Sequence, residues 1–217
     1  ALPISCRVLT LGHEKIDETF FHKRLSQALA KREKIIDAPY YRLVHSESDF
    51  LPGLLIDRFG DAFSIQVGTA GMERLQPLWM AALEQLLSPK TIIFRNDIPS
   101  RKLEGLAQEI SIITLPILGG GKGGGYVAQD NPHPNPLPER ERGLLVELRE
   151  YDTLFLADLV NGQKTGWFYD QRDNRKMIAD LAQGKTLLDV YSHSGGFGIP
   201  AARAGAKAAS APGSTAP

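Results

Sequence analysis

Polar side chains crowd into the segment from Gly162 to Arg175, which reads Gly-Gln-Lys-Thr-Gly-Trp-Phe-Tyr-Asp-Gln-Arg-Asp-Asn-Arg. Lys164, Asp170, Gln171, Arg172 and Arg175 make this run too polar for a hydrophobic core and too regular for a random loop. Cations, carboxylates and amides set this close together can orient a polar ligand. The run is therefore a candidate wall of a binding pocket.

A glycine-containing loop follows a short apolar run a few residues later. Residues 186–190 predict a short buried strand, and residues 197–204 predict a helix ended by Gly205. This strand–loop–helix order is typical of the first unit of a doubly wound α/β domain, where ligands lie at the carboxyl end of the strand. Gly195 and Gly196 lack Cβ atoms, so the backbone can approach a ligand. The amides that begin the helix can hold the carboxylate of S-adenosylmethionine (SAM) or a dinucleotide pyrophosphate. A purely structural turn is the alternative.

Ser194 raises a third interpretation, because it follows a strand and precedes a helix as in the nucleophile elbow of an α/β-hydrolase. The acid and histidine partners of such a serine come later in the chain. Neither residue type occurs after Ser194, so a serine esterase is disfavoured.

A second glycine-rich stretch covers residues 119–125 and contains Lys122. It does not match a phosphate-binding loop, because Lys122 is followed by glycine instead of serine or threonine. Prolines recur from Pro132 to Pro138. The whole stretch 119–143 is expected to be a disordered or extended insert, resembling the translation product of a repetitive palindromic DNA element.

The composition is that of an ordinary globular protein. The chain has 217 residues, 42% of them hydrophobic, with 25 basic and 25 acidic side chains. No apolar run approaches the roughly 20 residues that span a bilayer, so no membrane segment is expected. The single cysteine, Cys6, excludes an internal disulfide and fits a reducing cytosol. A net charge of zero argues mildly against a self-sufficient nucleic-acid binder.

The first half of the chain predicts a small α+β module. A helix is expected over residues 16–36 with Asp17 as its N-cap, and its basic residues are interpreted as a solvated face. Further expected elements are strands at 41–46, 54–59, 62–67, 91–94 and 110–115 and a helix at 75–87. Gly60-Asp61 predicts a hairpin between the second and third of these strands.

The second half predicts two strands, at 144–148 and 153–159, and then a helix from Gln171 to about Gln183. Asp170 is the expected cap of that helix. Met177, Ile178 and Leu181 are expected to face inward.

Three motifs in this order resemble the class I SAM-dependent methyltransferases that modify cytosine C5 of large-subunit (23S) ribosomal RNA. Residues 162–175 look like the signature of that family, and residues 191–197 are similar to its SAM-binding loop. Residues 41–61 and 70–74 match the central domain between its RNA-binding PUA domain and its catalytic domain. The resemblance covers residues 7 to about 209 apart from the Gly/Pro insert.

The fold implied is an α+β central module followed by the start of an α/β Rossmann-like methyltransferase domain, which is incomplete. The expected segments are a PUA remnant at 1–15, the central module at 16–118, the insert at 119–143, the N-terminal part of the methyltransferase domain at 144–209 and an unstructured tail at 210–217.

The resemblance also implies a set of cofactor-binding residues. These are Lys164, Thr165, Phe168, Asp170, Gln171, Arg172, Asp189, Tyr191, Ser192, Gly195, Gly196 and Phe197. The implied cofactor is SAM and the implied partner is ribosomal RNA, with no metal and no membrane. A cytoplasmic location is expected, and a homodimer is left open.

The departures from the family pattern concern catalysis. Methylation at C5 requires a cysteine that attacks C6, and the only cysteine, Cys6, is far from the run at 162–175 and is interpreted as a small apolar filler. No acidic residue follows Asp189 to bind the ribose hydroxyls. No catalytic residue is therefore assigned, and the chain is expected to be truncated at both ends and inactive alone. A non-catalytic folded remnant or pseudogene product is the alternative.

Overall fold

The computed structural model describes residues 6–115 and 144–210, which fall into two compact units. Of the described residues, the first unit contains 6–115, 144–148 and 156–167, and the second contains 149–155 and 168–210. The insert expected at 119–143, the tail after residue 210 and the first five residues lie outside the described residues. The expected domain limits stay predictions.

A five-stranded sheet forms the centre of the first unit, in the order β1-β2-β3-β4-β5. Its strands are β1 (Tyr40–His45), β2 (Leu54–Phe59), β3 (Ala62–Val67), β4 (Thr91–Arg95) and β5 (Ile110–Thr114). Neighbouring strands are antiparallel except β3 and β4, which are parallel. The predicted hairpin between β2 and β3 is confirmed, with Phe59 opposite Ala62.

Helices cover one face of this sheet. They are α1 (Glu18–Glu33), α2 (Ala70–Arg74), α3 (Gln76–Leu87) and α4 (Ser100–Leu103). The carboxylate of Asp17 caps α1 as predicted, since it accepts a hydrogen bond from the amide of Phe20 at 3.1 Å. Phe21, Leu25 and Trp79 are fully buried against alternate residues of the strands. Burial of this apolar surface is the main force that holds the helices on the sheet.

The other face of the sheet is lined by polar side chains. Arg42, Asp57 and Ser64 lie directly opposite one another across β1, β2 and β3. Asp57 and Ser64 are fully buried, and Arg95 at the end of β4 is 6% exposed. Buried polar groups usually have hydrogen-bond partners, although the Ser64 hydroxyl has none among the described residues. This face therefore has to be covered by a segment that supplies donors and acceptors.

The hairpin of β6 (Leu145–Glu150) and β7 (Thr153–Asp158) follows in the chain, and the second unit contains its tip. The other elements of the second unit are a 3-10 helix at Tyr169–Gln171, α5 (Arg172–Leu181), β8 (Thr186–Leu188), α6 (Gly198–Arg203) and β9 (Ala208–Ser210). Helix α5 packs against α6. The helix predicted from residue 197 is confirmed, with Pro200 in the first turn, where proline removes no hydrogen bond.

The predicted inward face of α5 is wrong for Met177 and Leu181, whereas Ile178 is half-buried. Met177 is 54% and Leu181 is 62% exposed, whereas Arg175 and Ala179 are buried. The reason is the ion pair of Arg175 with Glu150, which turns the arginine side of the helix inward. The helix begins at Arg172 with Gln171 at the N-cap position, so Asp170 is not its cap.

The strand predicted at residues 186–190 is shorter and more exposed than expected. It ends at Leu188, which is 65% exposed, and Val190 is 56% exposed. A second strand is present, because β9 pairs with β8 in parallel. The two strands and α6 form a short β–α–β unit.

Two further expectations are corrected. Cys6 is exposed and does not fill an apolar space. The basic face of α1 is only partly solvated, because the side chains of Arg24 and Arg32 are 15% and 17% exposed. No helix within residues 6–115 and 144–210 is both long enough and apolar enough to cross a membrane.

Asp49 connects α1 to the loop after β1. Both of its oxygens accept from Arg32, at 2.7 and 2.5 Å, and the amide of His45 donates at 2.8 Å. Burial raises the pKa of this carboxyl, but the hydrogen bonds from Arg32 and His45 outweigh that effect and hold the pKa below its usual value. A lowered pKa stabilises the fold above the unfolded pKa, and this contribution is lost as the pH falls through the folded pKa.

We expect Asp49→Asn to lower the free energy of unfolding at pH 7 by about 3 kcal/mol, because Arg32 loses its buried partner. Urea unfolding at pH 7 and at about pH 3 measures this, and the difference from wild type should shrink at the lower pH, where the carboxyl of unfolded wild-type Asp49 is largely protonated. Asp37→Asn, at an exposed site, is the matched control. An equal effect of both substitutions at pH 7 would contradict the role of Asp49.

Candidate functional site

Thr165, predicted as a cofactor residue, lies on the polar face of the sheet in the first unit. It is fully buried, and its hydroxyl donates to Asp57 Oδ2. The same carboxylate accepts from Arg42 Nε at 2.8 Å and from Arg42 Nη2 at 2.9 Å. Asp57 thus has three donors for its two oxygens. The Thr165 hydroxyl anchors the motif to the sheet.

Arg95 holds the beginning of the same segment. Its Nη1 donates to the carbonyl of Gly162 at 2.9 Å and to that of Leu159 at 3.3 Å. Asp97 fixes the guanidinium from the other side, with two contacts of 3.2 Å. A planar guanidinium with several donors suits this task, since one side chain satisfies two carbonyls and a carboxylate.

The two glycines of the run Gly162–Gly166 are required by the turn between these anchors. A Cβ on Gly162 would lie 2.2 Å from the carbonyl oxygen of Asp158. Gly166 has φ +106°, and a Cβ there would lie 2.9 Å from the same oxygen. Lys164, between them, is exposed and has φ +54°. The turn therefore presents Lys164 on a backbone that its neighbours fix.

Arg175 organises the rest of the polar run within the second unit. It is 4% exposed and donates to both oxygens of Glu150, at 2.8 and 2.7 Å, and to the carbonyl of Phe168 at 2.9 Å. Arg172 lies 3.8 Å from the same carboxylate. These arginines hold the 3-10 turn in which Asp170 is exposed and Gln171 accepts from Asn174 at 3.0 Å.

Asp189 fixes the loop after β8. It is 8% exposed, and its Oδ2 accepts from the amide of Gly198, the first residue of α6, at 2.9 Å. The amide of Gly198 was predicted to bind the carboxylate of a ligand, but it already donates to the carboxylate of Asp189. The negative charge of Asp189 also interacts favourably with the positive N-terminal end of the helix dipole.

The loop between Asp189 and α6 is exposed and conformationally unusual. Tyr191 (φ +59°) and His193 (φ +49°) occupy the left-handed region, and Tyr191 is 92% exposed. Gly195 is also left-handed, with φ +71°, so a side chain there would strain the backbone, whereas the end of the Ile199 side chain, 2.9 Å from an added Cβ, could move. Ser192 lies between the two left-handed residues, Gly196 is buried, and Phe197 precedes α6. Unfavourable conformations that persist are typical of binding loops.

The motifs in the sequence did not indicate Asp57, Arg95 or Glu150, whose side chains hold the predicted residues in place. One signal was available, because the acidic Asp57 interrupts an otherwise apolar strand pattern. Within residues 6–115 and 144–210, no group of three His, Cys, Asp or Glu side chains could hold a metal ion.

The fold is that of known methyltransferase structures. A protein described as a SAM-dependent methyltransferase from Streptococcus mutans matches with a TM-score of 0.66 and 20% identity, over 94% of this chain and 47% of its own. The structure of SMU.776, described as a methyltransferase complexed with S-adenosylhomocysteine (SAH), matches with the same score and identity over 46% of its own length. No protein-family model matches the chain.

Among curated proteins the similarity is to a particular enzyme. The ribosomal RNA large subunit methyltransferase I of Aliivibrio fischeri is 35% identical over 208 residues, which is 94% of this chain and 46% of the relative. The enzymes of the same name from Tolumonas auensis and Shewanella amazonensis are also 35% identical. This chain spans about half the length of the curated relatives it matches.

We expect Thr165→Val to destabilise the fold by about 2 kcal/mol, because the buried Asp57 loses a hydroxyl donor. Thr165→Ser keeps the hydroxyl and should cost about 1 kcal/mol, for the lost methyl group. Hydrogen exchange of the amides at 159–167 is the local readout, and the valine variant should exchange faster. Exchange in the valine variant no faster than in the serine variant would contradict the anchor.

Proposed function

We propose that this chain is part of a SAM-dependent methyltransferase that acts on large-subunit ribosomal RNA. The observation that carries the proposal is the similarity to curated ribosomal RNA large subunit methyltransferases I over 94% of the chain. The similarity in fold to a methyltransferase structure that contains SAH also supports SAM as the cofactor. An RNA target places the protein in the cytoplasm. A homodimer stays a prediction.

The described residues fit a SAM cofactor. The loop from Tyr191 to Gly195 is exposed, carries strained backbone and is held at its base by Asp189. In the proposal, this loop binds the cofactor, and the role of Lys164 stays a prediction. Arg175 and Glu150 keep the predicted residues from Phe168 to Arg172 in their conformation. SAM, when bound, supplies the electrophilic methyl group.

The finer proposal concerns the target atom, cytosine C5. Such a reaction requires a cysteine thiolate that adds to C6 of the base and activates the ring. The 217 residues contain one cysteine, Cys6, which is exposed and belongs to the first unit. We therefore propose that these residues bind SAM but transfer no methyl group by themselves. The comparisons do not favour a mere remnant, because the similarity extends over both units.

Calorimetric titration of the purified chain with SAM and with SAH tests the proposal. We expect saturable binding of both ligands. Gly195→Ala should weaken it roughly tenfold, because a Cβ strains the left-handed backbone of the loop. Gly184→Ala, at a left-handed glycine outside the loop, is the matched control. Absence of binding by the wild type would refute the proposal.

A methyl-transfer assay, with labelled SAM and unmodified large-subunit ribosomal RNA, tests whether these residues transfer a methyl group by themselves. No incorporation is expected with the 217 residues alone. Incorporation that survives Cys6→Ser would show that the chain reacts by a route without a cysteine nucleophile.

A further inference from the structure

Phe50 is an exposed aromatic side chain on an unusual backbone. It lies at the end of the 3-10 helix Ser46–Asp49, with φ 58° and ψ 31°, and it is 57% exposed. Residues with a Cβ rarely adopt this left-handed conformation, and bulky ones are clear outliers. Burial of the ring does not explain its presence there, since more than half of the side chain faces solvent.

The loop that carries Phe50 is fixed by hydrogen bonds. The amide of Phe50 donates to the carbonyl of Glu47 at 3.1 Å, and the amide of Leu51 donates to the carbonyl of Ser46 at 3.0 Å. The hydroxyl of Ser46 accepts from the amide of Gly53 at 2.7 Å, and Asp49 is held by Arg32. The aromatic ring is therefore mounted on a rigid support.

Arg24 braces the ring from the side of α1. The guanidinium carbon lies 5.1 Å from the centroid of Phe50 and 5.1 Å from that of the buried Phe20. Its Nη2 donates to the carbonyl of Leu9 at 3.3 Å, while its Nε makes no hydrogen bond with the described residues. The cation is thus held between two rings, where cation–π attraction stabilises it.

We propose that Phe50, backed by Arg24, is a stacking platform for an unpaired base of RNA, a contact that rests on the proposed action on ribosomal RNA. Proteins bind unstacked RNA bases on aromatic rings and on arginine planes. A rigid, exposed ring with a cation on one side offers its solvent-facing surface to the π face of a base.

The charges around the platform favour stacking over phosphate binding. Lys23 lies 2.5 Å from Glu14, and Lys31 and Arg32 both pair with Asp49. Because each of these cations is already in an ion pair with Glu14 or Asp49, the platform should contribute affinity without adding to the salt dependence that phosphate contacts produce. The salt dependence therefore separates this proposal from a phosphate-binding surface.

The experiment titrates the purified chain with a single-stranded RNA of about ten nucleotides that carries one 2-aminopurine, a length within the range bound by single-strand binders. Stacking of the 2-aminopurine on Phe50 should quench its fluorescence. We expect Phe50→Ala and Phe50→Gly to weaken binding about tenfold and to lose part of the quenching, as for other stacking aromatics. Phe50→Trp should retain both, and the slope of log K against log salt should stay unchanged in all variants.

Stability provides the control for misfolding. Because glycine accepts a positive φ, Phe50→Gly should melt at or above the midpoint of Phe50→Ala while binding RNA equally poorly. Leu103→Ala, at another exposed apolar side chain, should bind like the wild type.

Wild-type affinity in Phe50→Ala would overturn the platform and leave the proposed function intact. A wild-type dimer that Phe50→Ala dissolves would overturn the platform too, and would assign the ring to contact with a second copy. Failure of the wild type to bind the RNA would overturn both the platform and the proposed action on ribosomal RNA. The proposed binding of SAM would be unaffected, because the calorimetric titration tests it separately.

Discussion

The buried carboxylate of Asp57 is the constraint on which the polar face of the first unit depends. A charge taken out of water is strongly unfavourable unless it is paired and hydrogen-bonded. Arg42 lies directly opposite on the neighbouring strand and provides two donors, and Thr165 provides the third from the segment Leu159–Trp167. Within the first unit, the sheet and residues 159–167 are therefore parts of one hydrogen-bonded structure.

The geometry of the motif follows from this attachment. Arg95 fixes the carbonyls at one end of the segment and Asp57 fixes Thr165 near the other. The chain between them has to turn within a few residues, which only glycine permits at Gly162 and Gly166. Buried carboxylates also fix the segments of the second unit that are predicted to bind the cofactor. Asp189 accepts from the amide of Gly198 at the end of one loop, and Glu150 accepts from Arg175.

Local patterns predicted the regular elements well. Strands β2 and β3 have the predicted limits, and the Asp17 cap of α1 is confirmed, because each depends on neighbouring residues. The inward face of α5 could not be predicted, since it is decided by the pairing of Arg175 with Glu150, 25 residues away in sequence. The pattern of the cofactor motif did not show which distant side chains hold its residues in place. The distant partners of Thr165 and Gly162, Asp57 and Arg95, cannot be inferred from the spacing of the motif.

A double-mutant cycle between Asp57→Asn and Thr165→Val, followed by urea unfolding, tests the central claim most directly. If the carboxylate and the hydroxyl stabilise each other, the two changes should be non-additive, with a coupling free energy of about 1 kcal/mol or more. Additivity within about 0.5 kcal/mol would contradict the claim, because residues without a shared interaction behave in this way.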